Sequence, residues 1–79
     1  MDDHDNAVMS PADRLIYMAN QIARNVASMG REQAEATVED HIRSFWDPTM
    51  RRQIVALAAE RPDALSSIAA AAVSRIAAP

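Results

Sequence analysis

Asp40-His41-Ile42-Arg43-Ser44-Phe45-Trp46-Asp47-Pro48-Thr49-Met50-Arg51-Arg52 holds the only Trp, the only Phe, an Asp-Pro pair and two adjacent arginines of a 79-residue chain. The residue before a proline avoids helical geometry, so Asp47 ends the helix that precedes it. The same dipeptide starts another, with Asp47 as cap and Pro48 at the first helical position. The stretch therefore reads as helix, corner, helix. Aromatic side chains gathered at one corner serve either as the centre of a small core or as an anchor for a larger partner.

Upstream, Ser10-Pro11-Ala12-Asp13 opens a first helix: Ser10 can cap, Pro11 suits the first position, and Asp13 favours the positive end of the dipole. Leu15, Met18, Ala19, Ile22, Val26 and Met29 then recur at three- and four-residue spacing on one stripe. Gly30, the only glycine, is a natural left-handed stop. A second helix is expected over about 32–45. Its apolar face carries Ala34, Val38, His41, Ile42 and Phe45, and Glu32, Glu35, Glu39 and Arg43 lie opposite. Glu39 and Arg43 form an i,i+4 pair in the favourable order.

Downstream, a third helix over about 48–60 offers Met50, Ile54, Leu57 and Ala58 as its buried stripe. Arg61-Pro62-Asp63 breaks it. A fourth helix is expected over about 63–77, with Leu65, Ile68, Ala69, Ala72 and Ile76 turned inward. No strand-like alternation occurs. The fold class is all-α, a small bundle of three to four helices, with residues 10–79 as a single helical domain and residues 1–9 as a flexible acidic tail.

Composition bounds the function. A chain this short buries about 60–65% of its unfolded surface, and one core of this size rarely supplies more than ~3–5 kcal/mol. There is no cysteine, so disulfide staples and thiolate metal sites are excluded. The apolar fraction is 49%, but much of it is Ala, which buries little area per residue. Such a chain is expected to complete its core against something else. Net charge is −3 and all eight basic residues are Arg. Overall acidity argues against nucleic acid as partner. The Arg-only set reflects composition or suits bidentate pairing at a protein interface.

No secretory or transit signal is evident, because Met1-Asp2-Asp3-His4-Asp5-Asn6 has the wrong sign. The most apolar stretch, Ile68 to Val73, is far shorter than the ~20 residues that span a bilayer. A cytoplasmic protein with no membrane partner is expected.

Catalytic chemistry finds little support. Asp2-Asp3-His4-Asp5 is rich in potential ligands, and removal of Met1 would create a terminal Xaa-Xaa-His chelate for copper or nickel. A solvated tail is the better reading, since Asp after Met disfavours that removal. His41 beside Ile42 and Phe45 reads as a hydrogen-bonded core or interface residue rather than a catalyst. Hydroxyls without a nearby base make no nucleophile, and one glycine makes no phosphate loop. Glu35 and Glu39 read as solvated carboxylates. No catalytic, metal or cofactor residue is assigned.

Binding is better supported. Trp46 reads as core, ordering the corner, or as the hot spot of a docking surface flanked by Arg43, Arg51 and Arg52; a lone Trp in so short a chain favours the core. Arg51 and Arg52 occupy the first turn of a helix, where cations are disfavoured. That points to an acidic partner, Asp47 or Glu39 or another protein, although two charges in one helix turn read by default as a solvated face. Asn20 and Gln21, beside Met18, offer amides suited to hydrogen bonds with partner backbone. The candidate partner-binding set is Met18, Asn20, Gln21, His41, Phe45, Trp46, Arg51 and Arg52.

Two blocks carry a family resemblance. Leu15-Ile16-Tyr17-Met18-Ala19-Asn20-Gln21-Ile22-Ala23, followed by His41-Ile42-Arg43-Ser44-Phe45-Trp46-Asp47-Pro48-Thr49-Met50-Arg51, resembles the delta subunit of NAD-dependent formate dehydrogenase. The likeness covers about residues 13–60, and the alanine-rich end adds little. It implies a small, non-catalytic and cofactor-free accessory subunit that assists assembly, cofactor insertion or stability. Its implied partners are the larger formate dehydrogenase subunits, above all the pterin-carrying catalytic one. Those subunits are expected to hold the molybdenum or tungsten pterin, iron–sulfur clusters, FMN and NAD. The alternatives are a small helical nucleic-acid-binding regulator using Arg51 and Arg52, and a self-associating bundle.

Overall fold

The computed structural model describes residues 9–78, and every regular element among them is helical. α1 spans Pro11–Val26, α2 Arg31–Phe45, α3 Pro48–Glu60 and α4 Ser67–Ala77, with single 3₁₀ turns at Ala27–Met29 and Pro62–Ala64. The expected all-α bundle is the observed one. Of the expected tail only Met9, exposed, is described. The readings made for residues 1–8, including the Asp2-Asp3-His4-Asp5 ligand cluster, lie outside the described residues.

Local chemistry starts three of the helices. The Ser10 hydroxyl accepts from the Asp13 amide at 3.0 Å ahead of Pro11. The Asp47 carboxylate accepts from the Met50 amide at 2.8 Å ahead of Pro48. Ser66 accepts from the Ala69 amide at 3.3 Å. Each of these bonds satisfies a donor that the first helical turn leaves without a partner. α2 instead starts from Gly30, whose φ of 96° and ψ of 149° suit a residue without Cβ.

The start of α4 corrects the expectation of a helix from Asp63. Asp63 lies inside the 3₁₀ turn, whose residues make no side-chain cap bond, and Leu65 is extended at φ −97°, ψ 142°. Leu65 enters the core from that extended segment, at 8% exposure. A continuous helix would have carried Leu65 round with the turn, so core insertion delays the helix to Ser67.

The core joins Leu15, Ile16, Ala19 and Ala23 of α1 to Val38 and Ile42 of α2, Ile54 of α3, and Ala69, Ala72 and Val73 of α4. Trp46 and Leu65 close it from the corners. α2 packs most extensively against α4. The stripes read from the sequence shift slightly. Ile16, Ala23 and Val73 are buried, Met18, Ile22 and Ile76 are half-buried, and Met29 and Phe45 are exposed.

Glu35 and Glu39 also differ from expectation. Their side chains are only 15% and 24% exposed, because α4 covers them with Arg75 at 3.6 Å and 3.4 Å. Arg31 closes on Glu35 at 2.7 Å and Arg43 on Glu39 at 2.9 Å, so the expected Glu39–Arg43 pair forms within a larger network. This network edges the α2–α4 seam. Far along the chain, Arg61 pairs with Asp13 at 3.0 Å and ties the end of α3 to the start of α1.

Two measurements check this description. Ile54→Ala, at a fully buried position, is expected to cost about 2–5 kcal/mol in urea unfolding. Arg61's hydrogen bond, aided by the Ser10 hydroxyl, holds the Asp13 carboxyl below the ordinary aspartate value. A depressed folded-state pKa contributes stability above the unfolded pKa that is lost as pH falls through the folded one. NMR titration should therefore find Asp13 below the usual range in the native chain and moved upward in Arg61→Gln.

Candidate functional site

The two aromatic residues at the corner go to opposite places. Helical period puts Phe45 on the stripe of Val38, yet Phe45 is 75% exposed and Trp46 only 4%. Phe45 is the last residue of α2, and the next residue turns to extended backbone at φ −91°, ψ 138°. That turn directs the indole, not the phenyl ring, into the core. Phe45 then lies against His41 one turn earlier, ring centroids 4.9 Å apart. The expected inward position of Phe45 is thus overturned by where the helix stops.

Arg51 stabilises the corner from the other side. It donates to the Trp46 carbonyl and, at 3.4 Å, to the Arg43 carbonyl. Those carbonyls belong to the C-terminal end of α2, where the helix dipole favours a cation. The site is unfavourable for Arg51 as a member of α3 and favourable for it as a neighbour of α2. Neither Asp47 nor Glu39 pairs with the arginines, contrary to expectation. Asp47 caps α3 with its carboxylate, and Glu39 is held by Arg43 and Arg75. Arg52 remains exposed, with the Thr49 hydroxyl at 3.5 Å.

Asn20 has an internal role that no local pattern announces. Its amide donates to the Ala64 carbonyl at 3.0 Å and accepts from the Ser66 amide at 2.8 Å. The two bonds bracket Leu65 and hold it extended, much as a neighbouring strand would. Gln21 is half-buried and lines an open groove between α1 and the turn before α4. Met18 is half-buried and packs on the core.

The candidate residues therefore divide. Half-buried His41 and exposed Phe45 form one aromatic pair. Arg51 and Arg52 share a groove with Arg43, Val55 and Ile76. Asn20 and Gln21 line a different groove, with no residue in common. Ile76, expected inward, is half-buried and packs on the core while also lining the arginine groove, and half-buried Val55 lay on no expected stripe. Among the described residues no cluster of three or more His, Cys, Asp or Glu could hold a metal ion, and no helix is long and apolar enough to cross a membrane.

The sequence model of the NADH-dependent formate dehydrogenase delta subunit family, FdsD, matches residues 14–73. The match covers most of the chain, and the chain belongs to that family. It extends through the alanine-rich segment as far as Val73, beyond the two blocks first noticed. No curated protein and no solved structure matches the chain.

Substitutions separate these roles. Trp46→Ala is expected to cost about 3–5 kcal/mol, enough to unfold much of the population, as a buried aromatic does. Phe45→Ala should stay within about 0.5 kcal/mol of the native chain, as exposed positions do. Asn20→Ala should cost about 1–3 kcal/mol through two lost hydrogen bonds, with faster hydrogen exchange at the Ser66 amide. Urea unfolding followed by circular dichroism, together with exchange by NMR, measures all three.

Proposed function

We propose that this chain is a non-catalytic accessory subunit of a molybdenum- or tungsten-dependent formate dehydrogenase, acting by docking on a larger subunit of the complex. Docking would assist assembly, cofactor insertion or stability of that subunit. The pterin, iron–sulfur clusters, FMN and NAD belong to the partner subunits in this reading, and the pterin-carrying catalytic subunit is the preferred partner. Cytoplasmic location follows from the same reading.

One observation beyond family membership supports docking: the only Phe of the chain is held outward. A ring at 75% exposure leaves most of its apolar surface in water, and an aromatic entering a partner pocket is the usual form of an interface hot spot. His41 backs the ring and restricts it, which lowers the entropy lost on binding. Trp46 contributes indirectly, by ordering the corner that presents Phe45. Arg51 likewise acts by holding that corner. Their substitution would weaken binding through loss of structure.

The competing nucleic-acid reading is weakened by the same geometry. Arg51 is engaged with backbone carbonyls, and the chain as a whole is acidic.

Co-expression with the larger formate dehydrogenase subunits of the same organism provides the test. The native chain should co-purify with them, and Phe45→Ala should reduce recovery by at least tenfold, about 1.4 kcal/mol. Its helix content and unfolding midpoint should not change. Failure of the native chain to co-purify would remove the docking reading.

A further inference from the structure

A second surface has chemistry the aromatic pair lacks. The seam between α3 and α4 holds two open hollows that share Val55. The one at the Pro48 end is lined by Arg43, Arg51, Arg52, Val55 and Ile76, a space of about 510 Å³. The other lies past Val55, over Ala59, Ala70, Ser74 and Ala77 to Pro62. Together they make a groove no longer than α3, whose 13 residues span about 20 Å at ~1.5 Å per residue.

The two ends differ in charge. No carboxylate lines either part of the groove. Three guanidiniums and the positive end of the α3 dipole gather at one end, in a chain whose net charge is −3. Arg43 is already paired with Glu39 and Arg51 gives its Nη1 to the Trp46 and Arg43 carbonyls, so exposed Arg52 is the main donor for a carboxylate and Arg51 adds only its remaining N–H groups. Arginine forks match carboxylates in two-point geometry. The other end is small and apolar, and small side chains let a helix lie close.

We propose that this groove receives an acidic amphipathic helix of a larger formate dehydrogenase subunit, its apolar face over Ala59 and Ala70 and its carboxylates against Arg51 and Arg52. The inference rests on the docking reading above and specifies the partner surface. A second copy of the chain, which carries exposed Glu32 and Asp40 on α2, is the competing occupant that the cross-link distinguishes. The occupant binds as helices bind in apolar grooves, with apolar residues at three- and four-residue spacing.

Arg52→Glu and Ala59→Glu both change exposed residues and leave the Arg51 bonds to Trp46 and Arg43 in place. Each variant, as the full chain, is co-expressed with the larger subunits, and a photo-crosslinking residue at position 59 is tested in the native background. We expect each variant to reduce co-purification at least tenfold without loss of helix content. Raising salt should weaken native binding more than that of Arg52→Gln. The cross-link should fall on a helical segment bearing Asp or Glu.

Native-level recovery of both variants, with Phe45→Ala still defective, would overturn the groove and leave the docking reading intact. A cross-link to a second copy, or to a segment without carboxylates, would overturn the groove as well. Loss of oligonucleotide binding in Arg52→Glu would do the same in favour of nucleic acid. No recovery even of the native chain would overturn both readings together.

Discussion

Alanine buries little surface, so a core in which Ala19, Ala23, Ala34, Ala69 and Ala72 are inaccessible gains attraction by bringing helices close together. Among the described residues, Ile42, Ile54, Val38 and Val73 are the largest side chains completely shielded from water. Close approach puts a tight condition on every helix axis, because a small displacement opens gaps that no flexible side chain can fill. The α2–α4 seam meets that condition with an apolar interior and an edge of Arg31, Glu35, Glu39, Arg43 and Arg75. Glu35 and Glu39 there are half-shielded by α4 and bridge it to α2 through Arg75.

The condition also accounts for the two extended corners. Trp46 and Leu65 each leave a helix end in β geometry and turn a bulky side chain into the core. They supply the volume that alanine lacks. In both cases a polar side chain from elsewhere bonds the corner backbone: Arg51 to the Trp46 carbonyl, and Asn20 to the groups on either side of Leu65. Buried backbone that leaves a helix needs such partners. Asn20 and Arg51 were first read as contacts for another protein, yet both are engaged within the fold.

What remains outward is then informative. With Trp46 inside, Phe45 is the aromatic of the corner left in water, and with Arg51 engaged, Arg52 is the more exposed member of the pair. The proposed docking surfaces follow from that division. A chain with this little bulk gains structure from apolar contacts wherever it finds them, and a larger subunit of the complex offers more than its own core can. Family membership points to the complex; the fold leaves these faces in water, where we place a partner.

Helix number, three of the four helix starts and the Asp47-Pro48 corner were legible in the sequence, because caps, prolines and period act over a few residues. The family was legible too, in the Met18–Ile22 block and in the Phe45–Arg51 block. The core position of Trp46 was the favoured reading and is observed; the outward position of Phe45 was not legible, because helical period says which side of an axis a residue occupies and nothing about where the neighbouring helices end. Asn20 was equally opaque, its partners lying 44 and 46 residues away. The late start of α4 was hidden for the same reason, since Leu65 is held extended by core contact and by Asn20. Local chemistry thus determined the helices, and only their packing decided which side chains face a partner, because exposure depends on every element at once.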